Sequence, residues 1–217
     1  MKKFELTNEF VVNIFGIKLF RIRALFAFGC VKAGEQGGYV EKEGNLSQIG
    51  NAWVFGNAQV SGNAWVFSNA QVSGDARVSG DAQVSGNARV SGDAQVSGNA
   101  RVSGNAQVFG NAQVSGNAWV FGNAQVSGDA RVSGDARVSG DARVSGDADY
   151  AMVKGFGREN RNTTFFRCKD GQIRVVCGCF FGDLDKFRAI VKRTHGDGRM
   201  AIEYLAIADL MEIHFKG

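Results

Sequence analysis

Between Asn51 and Tyr150 one six-residue phrase, Gly-Asn/Asp-Ala-x-Val-Ser/Phe, repeats almost without interruption. Valine falls at every sixth position from Val54 to Val144, Tyr150 stands in the next valine slot, and alanine sits two places earlier each time, from Ala52 to Ala148. Such self-similarity belongs to solenoids, whose units cannot bury an apolar face alone and must stack on their neighbours. Ala and Val two apart point to one side of an extended segment, so Ala-x-Val is a short strand with an apolar inner edge. Gly supplies a corner, and Asn or Asp tolerates left-handed backbone and bonds its own chain. Three strand-corner units close a triangular coil of roughly 18 residues. At a strand spacing of about 4.8 Å this predicts five to six coils, about 27 Å in all.

The aliphatic residue at every sixth position and the small residue two before it, as in Val54, Val60 and Val66 with Ala52, Ala58 and Ala64, resemble the hexapeptide-repeat proteins. That resemblance implies a single-stranded, left-handed parallel β-helix. The chain departs from the family's pattern in carrying Ser or Phe directly after Val, with Gly one place later. The predicted fold is mainly β in three parts: an N-terminal β-rich cap over 1–44, the β-helix over 45–150, and a small α+β domain over 151–217.

The flanks are read from local pattern. Residues 3–24 are strand-rich, with a turn over Asn13–Gly16. Gly44-Asn45-Leu46 imitates a corner of the repeat with Gln48 in the valine slot, which predicts a degenerate capping coil that hides the first open edge. Thr163–Cys168 and Ile173–Phe181 are predicted strands, joined through the Asp170-Gly171 hairpin signal. Asp183 is an expected N-cap for a helix with Leu184, Phe187 and Val191 on one face, and a second helix runs from about Arg199 to Phe215. The sum is a ββαα unit that docks on the last coil. Gly37-Gly-Tyr-Val-Glu-Lys-Glu-Gly-Asn-Leu-Ser, Thr163-Thr-Phe-Phe-Arg-Cys and Val176-Cys-Gly-Cys-Phe resemble uncharacterised phage and prophage proteins of hexapeptide-repeat type. This implies a phage-associated origin and brings no chemistry with it.

Charge is distributed unevenly. The repeat holds six Arg and eight Asp, whereas residues 151–217 hold twelve Lys/Arg against eight Asp/Glu. Four cysteines in 217 residues do not make a secreted disulfide framework, and no apolar run of membrane-spanning length is present. Glu5, Asn8 and Glu9 interrupt what would be a signal's apolar core. The expected location is the cytosol.

The variable outward positions carry the candidate contacts. At 18 residues per coil, Trp65 and Phe67 share a face with Trp119 and Phe121, and Phe55 and Phe109 share another beside Trp53. Duplication of a 54-residue block accounts for this spacing. So does a contact stripe for a partner or for a homo-oligomer, with a trimer favoured. Arg and Asp on the remaining faces are expected to form solvated cross-coil pairs.

Enzymes of the hexapeptide-repeat type are acyltransferases that need a histidine base on a coil. Here the coils have none, and His195 and His214 lie beyond them. Threonine, which ice binding would array, is absent from the repeat, and the near balance of Arg and Asp does not suit a DNA mimic. A two-residue Asp170-Gly171 turn would set Cys168, Cys177 and Cys179 on one sheet face, where with His195 or His214 they would make a zinc site; the competing reading is buried thiols. Arg158, Asn160, Arg161, Arg167, Lys169 and Arg174, with Phe165 and Phe166 interleaved, are a candidate site for a nucleotide or single strand; the competing reading is a solvated basic face over a phenylalanine core. The primary reading is a non-enzymatic scaffold that needs no cofactor. A binding module is the alternative, followed by an acyltransferase-like enzyme.

Overall fold

The computed structural model describes residues 2–157 and 160–216. Its centre is a parallel β-solenoid of about 6 turns with about 18 residues per turn. Sixteen two-residue strands, β4 (Trp53–Val54) to β19 (Arg143–Val144), recur every six residues and stack into three flat faces. Partners lie 18 residues apart, as in Arg89↔Gln107 and Val90↔Val108, so like positions of the repeat stack on like. The interior is Ala and Val alone, fully buried from Ala52 to Ala142. Two small side chains per strand fill a prism this narrow, and at about 0.8 kcal/mol per buried methylene the stack supplies its own cohesion.

The ladder has a direction. Trp53 N donates to Ala70 O (3.0 Å), Gln59 N to Ala76 O (2.9 Å) and Ser61 N to Val78 O (3.0 Å), from one coil to the next, while the parallel register Trp53↔Gln71 and Val54↔Val72 returns one bond per strand, from the valine N–H to the carbonyl ahead of the preceding coil's valine. The first coil therefore leaves mostly carbonyls unpaired, and the last mostly N–H groups.

β1 (Phe4–Val12) and β2 (Lys18–Ala24) form an antiparallel hairpin through the expected Asn13–Gly16 turn, and β3 (Gln36–Val40) joins them to the coil strand Gln59–Val60. The capping coil is present, but its register differs from the sequence expectation. Leu46, not Gln48, bridges to Val66 and fills the valine slot. Two extra residues before Val54 free Gln48 to reach back, where its Oε1 accepts from Lys3 N at 2.7 Å. The repeat also ends one unit earlier than its sequence. Ala148 is exposed on a short 3-10 turn, and Tyr150 leaves the coil, its hydroxyl donating to Arg131 O at 2.6 Å.

The C-terminal region is a four-stranded antiparallel meander, β20 (Tyr150–Phe156), β21 (Arg161–Arg167), β22 (Ile173–Cys177) and β23 (Phe180–Asp183). Helices α1 (Leu184–His195) and α2 (Arg199–Lys216) follow. The expected single strand Ile173–Phe181 is in fact two, because Cys177 pairs with Phe180 across a Gly178-Cys179 turn. Gly178 has φ +61°, which suits the first position of a two-residue hairpin turn. The unit is thus ββββαα. One sheet face sends Phe166, Cys168 and Val176 against the last coil, and the other packs Phe165 and Val175 on the helices. Asp183 caps α1, its carboxylate accepting from Lys186 N at 2.8 Å.

Candidate functional surfaces

Each flat face of the solenoid is a ladder of outward side chains. On one, Trp65, Gln83, Arg101, Trp119 and Arg137 stack in that order. Extended backbone puts residues two apart on the same side, so Trp65 lies on Phe67 (centroids 4.0 Å, 21° between planes) and Trp119 beside Phe121 (4.5 Å, 34°). Trp65 is 42% exposed; Phe67, Trp119 and Phe121 are half-buried. Trp119 is held further by its indole N–H, which donates to Ser103 Oγ at 3.0 Å. Phe55 and Phe109 are also half-buried on the second predicted face.

Trp53 is not a surface contact. It is fully buried beneath Phe4 and Phe28, with ring centroids at 6.2 and 5.3 Å, because the N-terminal cap folds over that edge.

The expected Arg–Asp pairs between coils are absent among the described residues of the solenoid. Exact stacking explains this: Arg at mid-strand meets Gln or Trp in the adjoining coils, and the Asx residues at the corners meet one another. What the corners form is a carboxamide ladder. Asn51, Asn69, Asn87, Asn105 and Asn123 each donate to the next, and Asn123 donates to Asp141 at 3.2 Å. Asn117 to Asp135 (2.9 Å) and Asn111 to Asp129 (3.0 Å) end the other corners in the same way. A carboxylate accepts but cannot donate, so Asp can only terminate such a run in this direction.

The two ends carry opposite chemistry. At the carbonyl end, the Lys3 ammonium donates to Ala52 O (2.8 Å) and Gly50 O (3.3 Å), and the fully buried Asn45 amide donates to Ala64 O (2.8 Å) and Gly62 O (3.1 Å). Burial pushes the Lys3 ammonium down to about 8. At the N–H end, Asp147 accepts from Arg131 N (2.8 Å), Thr164 Oγ1 from Arg137 N (3.1 Å), and Asp149 from Ser145 N (2.8 Å) and Gly146 N (3.1 Å). Burial of Asp149 opposes its ionisation, but these hydrogen bonds and Arg167 outweigh it and hold the carboxyl below the usual range. Lys154–Asp135 (3.0 Å) and Arg167–Asp149 (3.4 Å) tie the basic domain to the acidic last coil.

The candidate anion site disperses. Arg158 lies outside the described residues. Asn160 forms a turn with φ +47°, Arg167 is committed to Asp149 and Phe215 O, and Arg174 is bound to Asp170 at 2.6 Å. The backbone of Lys169 donates to Asp141 O at 3.1 Å at the docking edge. Of the described candidates, Arg161 borders a cleft of about 870 Å³, together with Cys177, Cys179, His195 and Tyr204.

The three cysteines do not converge either. Arg167 pairs with Ile173, and Cys168 N donates to Gln172 O at 2.9 Å across a three-residue loop, Lys169–Gly171, not the two-residue turn expected. A one-residue change of register reverses a side chain's face. Cys168 therefore turns toward the solenoid, where burial pushes its thiol up to about 11, while Cys177 packs on the helix side beside Thr163 Oγ1 at 3.2 Å. No group of metal-ligating side chains occurs among the described residues. His214 stands against Phe215 near the end of α2. No helix among them is long and apolar enough to cross a membrane.

The Gly178 turn was hidden in the sequence, since an isolated Gly among apolar residues is compatible with a continuous strand. Nothing in the sequence pointed to the chemistry of the ends, which depends on the direction of the ladder.

No curated protein matches the chain. Residues 64–155, most of the solenoid and the first strand after it but less than half of the chain, match the bactofilin family, described as polymer-forming cytoskeletal.

Proposed function

We propose that this chain is a non-enzymatic structural rod whose copies associate side by side through the Trp65/Phe67 and Trp119/Phe121 pairs. The observation that carries the reading is the pairing of partly exposed, stacked aromatics on one flat face with ends whose backbone groups are already bonded. Aromatic side chains are the enriched anchors of protein interfaces. The likeness of the solenoid to a polymer-forming family supports self-association. A continuous β-ladder from rod to rod would need the Lys3 and Asn45 cap and the C-terminal domain to be displaced. A cyclic trimer turns all three aromatic faces to one axis and is the closed form this reading expects. A phage-associated origin and a cytosolic location complete the proposal; the first is supported by the resemblance of the flanking segments, the second by the unpaired cysteines.

Native mass spectrometry and sedimentation velocity test it. The wild type is expected as a defined assembly, and the Trp65→Ser/Trp119→Ser variant as a monomer with an unchanged circular dichroism spectrum. Assembly that survives the double substitution would sink the lateral reading. Open filaments that lengthen along the rod axis would place the contact at the ends instead.

A further inference from the structure

The cleft beside Arg161 has the features of a small-molecule site. Its floor and walls are Phe180, Phe187, Ile190, Val191 and Met200, drawn from β23, α1 and α2. Its volume of about 870 Å³ falls within the range of sites that enclose a drug-sized ligand. Tyr204 lies at its base, buried, stacked against His195 (6.0 Å, 25°) and donating from its hydroxyl to Phe156 O at 3.2 Å.

Arg161 is the one formal charge among the residues that line the cleft. The Arg199–Glu203 pair lies at the adjoining edge, which shares Thr194, His195 and Met200 with it. Arg167, Arg174, Arg188 and Arg199 each hold a carboxylate. Among the described residues no carboxylate lies within ion-pair distance of Arg161. The arginine is also placed: a Cβ at Gly178 would come within 2.5 Å of Arg161 Nη1, so the glycine that makes the turn also gives the guanidinium room to lie across it. The last turn of α1 and the first turn of α2 meet at the same rim, and their opposed end charges offset one another. A single guanidinium is left to set the balance. It matches one carboxylate in bidentate fashion, and its single charge would leave most of a multiply charged phosphate uncompensated against an apolar wall.

We propose that this cleft binds a monocarboxylate with an apolar body, aliphatic or aryl. Arg161 holds the carboxylate, and the Phe180–Phe187–Ile190–Met200 surface buries the hydrocarbon. The site lies in the domain that closes the N–H end of the rod, and it is independent of the lateral contact.

The test is titration of the full-length protein with decanoate and, separately, decanol, ADP and inorganic phosphate, followed by the methyl resonance of Met200 and by calorimetry. Saturable decanoate binding is expected, with decanol weaker. Arg161→Gln is expected to weaken decanoate roughly tenfold or more while leaving decanol unchanged, because only the charge-assisted bond is lost. Arg161→Lys should restore part of the affinity. Ile190→Trp, which fills the cleft, should abolish both ligands, with circular dichroism confirming the fold. No saturable binding at millimolar decanoate, an affinity unaffected by Arg161→Gln, or tighter binding of ADP or phosphate would each overturn the proposal.

Discussion

The corner glycines permit a graded test of how tightly one coil presses on the next. Gly98 has φ +65°, and an added Cβ would stand 3.1 Å from both N and O of Gly116 in the following coil. Gly56 has φ +59°, but its nearest neighbour would be Gly74 O at 3.7 Å, ordinary contact distance. Both Gly→Ala changes carry the left-handed penalty of about 1–2 kcal/mol, offset by about 0.4–1 kcal/mol from a stiffer unfolded chain. Only Gly98→Ala adds crowding against a fixed backbone, about 1–3 kcal/mol. The expected losses are about 1 kcal/mol for Gly56→Ala and about 2–4 kcal/mol for Gly98→Ala. The sequence contains the reverse experiment. Ser68 occupies a corner where its neighbours have Gly, with φ +61° and its side chain exposed, so Ser68→Gly should stabilise by about 0.5–1 kcal/mol. Solenoids open locally, so amide hydrogen exchange in the flanking coils is the appropriate assay, with urea unfolding as a check. Equal losses at Gly56 and Gly98 would show that the coils separate freely and would refute the crowding argument. A destabilising Ser68→Gly would refute the strain argument.

The remaining predictions concern the ends and the thiols. The Lys3 pKa lies below its unfolded value, so between about pH 8 and 10.5 the unfolded chain binds more protons and stability rises with pH. Relative to Lys3→Met, which cancels the opposite trend from Cys168, the wild type should gain about 3 kcal/mol between pH 7 and 11; a flat difference would mean that the carbonyls compensate the ammonium fully. Asn45→Ala should cost about 2–3 kcal/mol and Asn45→Asp more, since a carboxylate would then face carbonyls; measured by urea unfolding, the reverse order would contradict the assigned ladder direction. Thiol labelling of the native protein at pH 8 should reach the exposed Cys30 and Cys179 first and Cys168 last, and equal rates would show that the C-terminal sheet does not seal the last coil.

The repeat was legible because period six with Ala and Val in phase leaves one low-energy arrangement of a chain whose side chains alternate. The β1–β2 turn, the Asp183 cap and the apolar face of α1 were legible for the same reason: each is set by residues within a few positions of one another. Where the sequence reading went astray, the deciding contact was distant. Leu46 took the slot assigned to Gln48 because Val66 of the next coil fixes the register. Trp53 looked like a surface aromatic because its periodic position faces outward, and the N-terminal cap, through Phe4 and Phe28, covers it. Cys168 and Cys177 fell on opposite faces because the hairpin loop has three residues instead of two, a difference the Asp-Gly signal does not encode.

The sequence by itself determined the β-solenoid, its coil length, its Ala/Val interior and the small α+β region that follows it. Local alternation and corner chemistry suffice for those. Only the tertiary structure decided which aromatics stay exposed, that the coil ends are closed by a cation and an amide on the carbonyl side and by carboxylates and a hydroxyl on the N–H side, and that Arg161 stands apart from its basic neighbours over an apolar cleft. These features depend on the direction in which successive coils donate their hydrogen bonds and on where the flanking domains dock. Both join residues far apart in the chain, and no local pattern records them.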